Sequence, residues 1–284
     1  MIIFPNCKVN LGLRILRKRP DGYHDIESVF YPLPLYDVLE GIRATAYGIR
    51  DAGNNQDESS IQYSHSGFSI TGHPDDNLCI KAYKLLKKDF PQLPRIQMHL
   101  HKSIPAGAGL GGGSADGAFT LELLNKQFEL NLSTSQLINY ALQLGSDCPF
   151  FIINKTCLAT GRGEILEQLT IDLSDYKFVI VNCGIHINTA NAFSGVTPAL
   201  PSRSLKEIVQ QPLKTWKTAL INDFEKNVFS QHPEIEAIKK KLYHGGSLYA
   251  SLSGSGSSVY GIFEKNIVPE FNFPSHYYVK ELFS

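Results

Sequence analysis

The sequence lacks the features that mark membrane-spanning and nucleic-acid-binding proteins. Its formal net charge is zero, with 27 basic and 27 acidic residues, so the chain as a whole does not attract nucleic acid or an anionic membrane. No segment approaches the about 18 consecutive apolar residues that a membrane helix needs. The first ten residues carry no basic stretch followed by a long apolar run. We therefore expect a soluble, cytoplasmic protein that binds neither nucleic acid nor membrane.

The cysteines also exclude two classes of small, cross-linked protein. There are five of them, an odd number, with no Cys-x-x-Cys pair and no Cys/His group at the spacing of a metal site. This pattern is typical of buried thiols in a reducing compartment. We therefore predict neither a disulfide framework nor a zinc site. The length of 284 residues favours about two domains.

Glycine, by contrast, is concentrated in one stretch. Residues 105–118 read PAGAGLGGGSADGA and contain six glycines, which can adopt left-handed backbone conformations and expose amide N–H groups to a ligand. The residues before this stretch alternate as in a strand, and the residues after it repeat as in a helix beginning near Ser114; they are Ile96, Met98 and Leu100, then Ala118, Leu121, Leu124 and Phe128. Strand, glycine loop and helix N-terminus together predict a phosphate site.

Two common phosphate-binding patterns, the Walker and the Rossmann patterns, differ from this one. No Lys-Ser or Lys-Thr follows the glycines, as the Walker pattern requires, and the Rossmann glycine spacing is also missing. The alternative is a flexible surface loop. The ordered elements predicted on both sides favour the phosphate site.

Two polar pairs near the start of the chain are candidates for a ligand site. Lys8 and Asn10 share one face of a strand whose other face is apolar, so they can point into a cleft, although a strand lysine is ordinarily a solvated surface charge. Tyr23 and His24 follow the turn signal Pro20-Asp21-Gly22. They can stack on and hydrogen-bond a heterocycle, or they can simply close a hairpin.

The middle of the chain offers one carboxylate of interest. Asp147 stands between an apolar run and a helix that is predicted to begin at the capping box of Ser133 and Gln136 and to stop at Gly145. Taken alone, it is a turn or capping residue or a deliberately placed acid. Asp76 or Asn77 is predicted to cap an earlier helix. Residues 47–60 are predicted to form a loop or hairpin turn without assignable chemistry.

The glycine stretch resembles the phosphate loop of the GHMP small-molecule kinases, in which a proline precedes Gly-Leu-Gly and then Ser-Ala. The matching residues are Pro105, Gly109, Leu110, Gly111, Ser114 and Ala115. Lys8, Asn10, the string 20–24 and Leu35-Tyr36-Asp37 are similar to the member that acts on a cytidine-diphosphate methylerythritol in the non-mevalonate isoprenoid pathway. The string from Gly145 to Phe150 is similar to that family's catalytic segment. Asn6-Cys7 departs from the family's usual Pro-Ala.

The resemblance implies ATP-dependent phosphorylation of a tertiary hydroxyl group, with Mg²⁺ accompanying ATP. It implies that Lys8 and Asp147 are catalytic and that a further set of residues binds the cytidine substrate: Asn10, Tyr23, His24, Thr189 and Phe193. A third set is implied to bind ATP: Asn77, Leu78, Lys102, Pro105, Gly107, Gly109, Leu110, Gly111, Gly112, Gly113 and Ser114. Several keep structural alternatives, because Asn77 can be only a helix cap, Leu78 and Phe193 only core, and Lys102 only a surface charge.

The same resemblance implies an α+β fold of two domains. The first, residues 1–165, is expected to be like ribosomal protein S5 domain 2 and to bind ATP, and the second, residues 166–284, to be a ferredoxin-like α/β sandwich. We expect a monomer or a homodimer. Two alternatives stay open at this point: another GHMP kinase of the homoserine or mevalonate type, and a catalytically silent nucleotide-binding protein on the same fold.

Overall fold

The computed structural model of the protein describes residues 1–44, 61–70 and 72–283, so the predicted loop at 47–60 lies outside the described residues. In chain order the strands are β1 (Ile2–Ile3), β2 (Asn6–Lys18), β3 (His24–Tyr36), β4 (Val38–Arg43), β5 (Gln62–Gly67), β6 (Ile96–Lys102), β7 (Cys157–Thr160), β8 (Ile165–Gln168), β9 (Tyr176–Asn182), β10 (Tyr249–Leu252), β11 (Val259–Glu264) and β12 (Tyr278–Phe283).

The helices follow the same numbering. They are α1 (Leu78–Asp89), α2 (Gly112–Gln127), α3 (Thr134–Leu144), α4 (Cys148–Ile153), α5 (Thr189–Ser194), α6 (Leu205–Val209), α7 (Trp216–Ala219), α8 (Glu225–Gln231) and α9 (Pro233–His244). No helix in the described part of the chain combines the length and hydropathy that a membrane crossing needs.

The chain divides into two compact units, each made of separate segments. The first unit consists of Met1–Asn6, Tyr36–Ala106 and Gly112–Ile153. The second unit consists of Cys7–Leu35, Gly107–Gly111 and Asn154–Ser284. Within the glycine-rich stretch, Gly107–Gly111 therefore belongs to the second unit, and the residues on either side belong to the first.

A four-stranded sheet and four helices form the first unit. The strand order is β1-β4-β6-β5, in which β5 runs parallel to β6 and the other pairs are antiparallel. The predicted alternation in β6 is confirmed, since Ile96, Met98 and Leu100 are all buried. Helix α2 approaches the sheet closely at Gly41, where an added Cβ atom would lie 2.6 Å from Leu123 Cδ2.

Local sequence signals set the helix ends in this unit. The Asn77 side chain accepts a hydrogen bond of 2.9 Å from the Cys79 amide and caps α1, as predicted for this residue. The predicted capping box of α3 is also present, because the Ser133 N–H donates to Gln136 Oε1 at 2.9 Å and the Gln136 N–H donates to Ser133 Oγ at 3.4 Å. Helix α2 begins two residues before the predicted start near Ser114.

Two four-stranded sheets form the core of the second unit, with strand orders β2-β3-β7-β8 and β10-β11-β9-β12. They meet through aromatic side chains: the rings of Tyr31 and Phe178 stack with centroids 5.6 Å apart, and the Tyr260 hydroxyl donates to the Asn10 carbonyl at 2.7 Å. The β2–β3 hairpin turns where predicted, at Gly22, whose φ of 86° favours glycine.

Helices cover the second sheet of this unit. An apolar stripe of α9 is buried in the core cluster that also contains Val259 and Phe263; its members are Ile235, Ile238 and Leu242. Trp216 is buried and meets Tyr249 edge-on at 5.8 Å, so it serves packing.

Candidate active site

In the glycine loop of the second unit, residues 107–111, three carbonyl groups accept hydrogen bonds from other parts of the chain. Three successive carbonyls accept hydrogen bonds: Ala108 from the Ser258 N–H at 3.1 Å, Gly109 from the Ser253 hydroxyl at 2.7 Å, and Leu110 from the Lys8 N–H at 2.9 Å. Within the described residues, the N–H groups of 109–111 donate to no protein acceptor.

The backbone of this loop alternates in handedness. Gly107, Gly109 and Gly111 have φ values of 64°, 78° and 71°, with Ala108 and Leu110 between them. Glycines with positive φ, alternating with residues that lack it, can turn successive N–H groups towards one side of a loop, where an anion can bind. The three glycines therefore adopt the left-handed backbone that the sequence predicted, and the phosphate site stays a prediction.

A second glycine-containing loop, residues 253–258, supports the first. It approaches so closely at Gly109 that an added Cβ atom would lie 2.0 Å from the Ser253 carbonyl oxygen. The serines and glycines of this segment are typical of a flexible linker. The contacts with the glycine loop rule out the linker, and residues Ser251 and Leu252 belong to β10.

Lys8 and Asn10 lie side by side on β2, as the alternation predicted. Lys8 Nζ donates to Asn10 Oδ1 at 2.7 Å, and Asn10 Nδ2 donates to Ser28 Oγ at 2.8 Å. The ammonium group also lies 4.5 Å from the centre of the Phe30 ring. Lys8 is only 4% exposed, so the alternative of a solvated surface lysine is wrong.

The three predicted base-binding aromatic side chains fall into two arrangements within the second unit. His24 stacks on Phe193 with ring centroids 4.7 Å apart and an interplanar angle of 15°, and Phe193 in turn meets Phe224 edge-on. Tyr23 is exposed and its ring lies under the Arg162 guanidinium at 4.9 Å. Thr189 Oγ1 lies 3.2 Å from Ser255 Oγ.

Ser114 and Asp147, both in the first unit, belong to neighbouring segments. Ser114, in the first turn of α2, lies close enough to the Cys148 thiol to lower its pKa, and Cys148 begins the buried helix α4 directly after Asp147. Burial raises the pKa of Cys148 to about 12, so this thiol stays neutral. A residue predicted to bind ATP and the predicted catalytic acid are therefore placed near each other by α2 and α4.

Lys102 is buried in a charged group of three residues, which we call the acid–lysine triad: Asp37, Lys102 and Asp116. Lys102 Nζ donates to Asp37 and, at 2.7 Å, to Asp116. Asp37 Oδ1 also accepts the N–H groups of Ser103 and Ile104 at 2.6 and 2.9 Å. The triad thus fixes the backbone immediately before the glycine-rich stretch, and Lys102 is not a surface charge.

Burial and charge set the protonation of the triad. Burial alone would lower the pKa of Lys102, but the charges of Asp116 and Asp37 outweigh burial and raise it, so the lysine stays protonated. Burial raises the pKa of Asp116 against the opposing effect of Lys102, with a further increase from Asp37. Asp116 Oδ1 is buried and has no hydrogen-bond partner among the described residues.

Asn77 and Leu78, the predicted adenine neighbours, lie at the start of α1. Asn77 Nδ2 donates to the Tyr63 hydroxyl at 2.9 Å, and burial raises the pKa of Tyr63. Leu78 packs against α2 at Gly117, where an added Cβ atom would lie 2.8 Å from Leu78 Cβ. Asn77 is therefore a helix cap and Leu78 a packing residue. Their contact with the nucleotide stays a prediction.

The comparisons with known proteins identify the class. A family model described as "GHMP kinases N terminal domain" matches residues 77–155, and one described as "GHMP kinases C terminal" matches residues 204–270. Together with the relatives below, these matches show that the chain belongs to the GHMP kinase family. The predicted two-domain GHMP kinase fold is confirmed, whereas the predicted boundary at residue 165 stays a prediction.

Two of the most similar relatives are kinases with the same name. A 4-diphosphocytidyl-2-C-methyl-D-erythritol kinase of Bacteroides fragilis is 50% identical over 263 residues, which cover 93% of this chain and 92% of that protein. A kinase with the same name from Azobacteroides pseudotrichonymphae is 46% identical and covers 98% of this chain and all of that protein.

Solved structures agree with this comparison. A crystal structure of 4-(cytidine 5'-diphospho)-2C-methyl-D-erythritol kinase matches with a TM-score of 0.78 and 25% identity over all of both chains. A mevalonate kinase matches with a TM-score of 0.67 and 13% identity over 93% of this chain and 91% of that one, which shows the shared fold alone.

Sequence reasoning missed several residues around the site. Ser28 and Phe30, which contact Asn10 and Lys8, lie on a neighbouring strand without any local motif. Asp37 stood in a family string, and Asp116 in the Ser-Ala-Asp string, but neither was given a role. No functional role was predicted for Arg162.

Proposed function

We propose that this protein is the ATP-dependent kinase that phosphorylates the 2-hydroxyl group of 4-diphosphocytidyl-2-C-methyl-D-erythritol in the non-mevalonate isoprenoid pathway. Relatives of that name align along almost the whole chain at up to 50% identity. The structural observation that carries the proposal is the glycine loop 107–111. Its carbonyl groups at 108–110 are hydrogen-bonded, and within the described residues its N–H groups at 109–111 donate to no protein acceptor.

The loop amides and the N-terminus of α2 hold the phosphates of ATP. Gly111 is followed in the chain by Gly112, the first residue of α2, whose first N–H groups lack intrahelical acceptors. Their partial positive charge suits a triphosphate. Space exists at Gly113, because an added Cβ atom would meet no other atom within 4 Å. ATP supplies the phosphoryl group, and the protein supplies binding and orientation.

Asp147 and Lys8 serve the transfer step. The substrate hydroxyl oxygen forms a bond to the γ-phosphorus, the bond from that phosphorus to the β–γ bridging oxygen breaks, and ADP leaves. The hydroxyl proton passes to the Asp147 carboxylate, which needs correct placement more than high basicity, because the proton leaves late in a loose transition state. The Lys8 ammonium stabilises the charge that develops on the transferred group. Asn10 holds Lys8 at 2.7 Å and lies beside the acceptor.

Tyr23, His24, Thr189 and Phe193 bind the cytidine part of the substrate. His24 and Phe193 already form a ring stack in the second unit, and the exposed ring of Tyr23 is available to a flat base. Homoserine and mevalonate contain no ring for such aromatic side chains to bind. This set therefore favours the cytidine substrate over the other GHMP acceptors.

Mg²⁺ accompanies ATP in this proposal. Mg²⁺ bound to a nucleotide is held chiefly by phosphate oxygens and water, with few protein ligands. Ser114 is the candidate protein ligand. Location in the cytoplasm and a monomeric or homodimeric state are further parts of the proposal.

One assay tests the function. ADP release from ATP and Mg²⁺ is measured with the cytidine-diphosphate methylerythritol and, as controls, with homoserine, mevalonate and galactose. We expect turnover with the cytidine substrate alone. Turnover with another acceptor would reassign the substrate, and ATP binding without turnover on any acceptor would indicate a silent nucleotide-binding protein.

A further inference from the structure

Arg162 is the cationic neighbour of the exposed Tyr23 ring. The Arg162 guanidinium carbon lies 4.9 Å from the ring centroid, within the range of a cation–π interaction. Tyr23 is 56% exposed, and in the described part of the chain its ring stacks on no other aromatic side chain. The orientation of this ring therefore depends on the arginine.

The turn that carries Arg162 is built to hold it in place. Gly161 and Gly163 on either side have φ values of 68° and 111°. The Arg162 N–H donates to Glu164 Oε2 at 2.5 Å, and Arg162 Nε lies 3.5 Å from Glu164 Oε1. The Gly161 carbonyl accepts the Ile26 N–H at 2.7 Å. The turn is thus attached to β3 two residues after His24.

The backbone of Tyr23 is fixed separately, by its own hairpin. The Tyr23 N–H donates to Asp21 Oδ1 at 3.1 Å, and the Tyr23 carbonyl accepts the Arg19 N–H at 2.8 Å. These bonds set the Cα position but leave the side-chain torsions free. Among the rotamers that the backbone allows, a contact to the ring favours one, and Arg162 provides such a contact.

We propose that Arg162 is a positioning residue for substrate specificity, which holds the Tyr23 ring in the orientation that stacks a pyrimidine base. This inference rests on the proposed function. It extends the substrate site to Arg162, which lies 139 positions after Tyr23 in the sequence. The guanidinium occupies one face of the ring and leaves the opposite face to the base. A cation–π interaction at an exposed site corresponds to about a twofold to fivefold change in an equilibrium constant.

The test compares Arg162→Ala and Arg162→Lys with the wild type in steady-state kinetics. We expect Arg162→Ala to raise the KM for the cytidine substrate about twofold to fivefold, with kcat and the KM for ATP unchanged. Arg162→Lys should restore part of the loss, because an ammonium group also binds an aromatic face. The matched control is Arg203→Ala, which removes an exposed arginine paired with Glu207 at 3.8 Å and should leave all three constants unchanged.

A double-mutant cycle separates this role from a purely structural one. In a Tyr23→Ala background, Arg162→Ala should raise the substrate KM no further, because the ring that it positions is gone. Additive effects, or an equal rise of both KM values in Arg162→Ala, would overturn the inference. An unchanged substrate KM in Arg162→Ala would overturn this inference and leave the proposed function intact. A wild-type protein without turnover would overturn the proposed function and this inference with it.

Discussion

A buried charge is the residue-scale feature that sets this site apart from ordinary surface chemistry. Lys8 is 4% exposed, and removing an ammonium group from water costs free energy unless polar partners replace the water. Asn10 at 2.7 Å and the face of Phe30 at 4.5 Å supply part of that replacement. A lysine held in this way keeps a fixed direction, which is what transition-state stabilisation requires.

Replacing Lys8 or Asp147, the proposed catalytic residues, should stop the chemistry and spare nucleotide binding. We expect Lys8→Met and Asp147→Asn each to lower kcat by about 10²-fold or more, with the dissociation constant for ATP, measured by calorimetry, close to that of the wild type. Lys177→Met is the matched control, since Lys177 is equally buried and pairs with Glu281 at 2.7 Å. Near-native turnover in Asp147→Asn would remove that residue from the mechanism.

The aromatic residues should affect one substrate only. Tyr23→Ala and His24→Ala remove groups that we assign to the cytidine base, so the KM for that substrate should rise while the KM for ATP stays nearly constant. The measurement is a pair of titrations, each with the other substrate saturating. If both KM values rise together, the two side chains merely shape the fold.

At the scale of elements, the glycine loop depends on one close approach. A Cβ atom at Gly109 would meet the Ser253 carbonyl oxygen at 2.0 Å, and the residue has a φ of 78°. Gly184 has a similar φ of 81° with no atom within 4 Å of an added Cβ. Comparing substitutions at Gly109 and Gly184 therefore separates the effect of a steric collision from the effect of a left-handed backbone.

Gly109→Ala should weaken ATP binding far more than Gly184→Ala. Both variants pay the cost of left-handed backbone, about 1–2 kcal/mol, but the first must also displace one glycine loop from the other. We expect a lower unfolding temperature for both and a raised ATP dissociation constant for Gly109→Ala alone. Equal ATP affinities in the two variants would show that the spacing of the loops does not matter to the nucleotide.

The elements that sequence reasoning predicted well are those whose signals are local. The cap at Asn77, the capping box at Ser133 and the turn at Gly22 each depend on a few neighbouring residues, and all three are confirmed. Asp37 and Lys102 pair across 65 positions, and Tyr23 meets Arg162 across an even longer interval. Such pairs leave no periodicity or spacing in one sequence, so only the folded chain reveals them.

At the scale of the whole molecule, stability should depend on the protonation of the acid–lysine triad. The pKa of Asp116 is raised above its ordinary value of 3.8 because the carboxyl is buried and lies near Asp37. The folded chain therefore holds a proton on Asp116 at pH values where the unfolded chain has lost it. The stability that this proton contributes is fully present below about pH 3.8 and is lost as the pH rises through the raised pKa.

Asp116→Asn should cancel that dependence, because an amide resembles the neutral acid and does not titrate. We expect the free energy of unfolding of the variant, relative to the wild type, to increase as the pH rises from about 4 to about 8. Urea unfolding at several pH values measures the difference. A difference that is constant over this range would mean that Asp116 titrates normally in the folded protein.

The central claim is that free backbone amides of the glycine loop bind the phosphates of ATP, and the amides themselves report on it most directly. The measurement is a ¹H–¹⁵N NMR titration of glycine-labelled protein with Mg²⁺ and a non-hydrolysable ATP analogue, with Gly184 as the internal reference. We predict large, saturable shifts of the Gly109 and Gly111 amide signals and a nearly constant Gly184 signal. Unchanged Gly109 and Gly111 signals at saturating nucleotide would contradict the account.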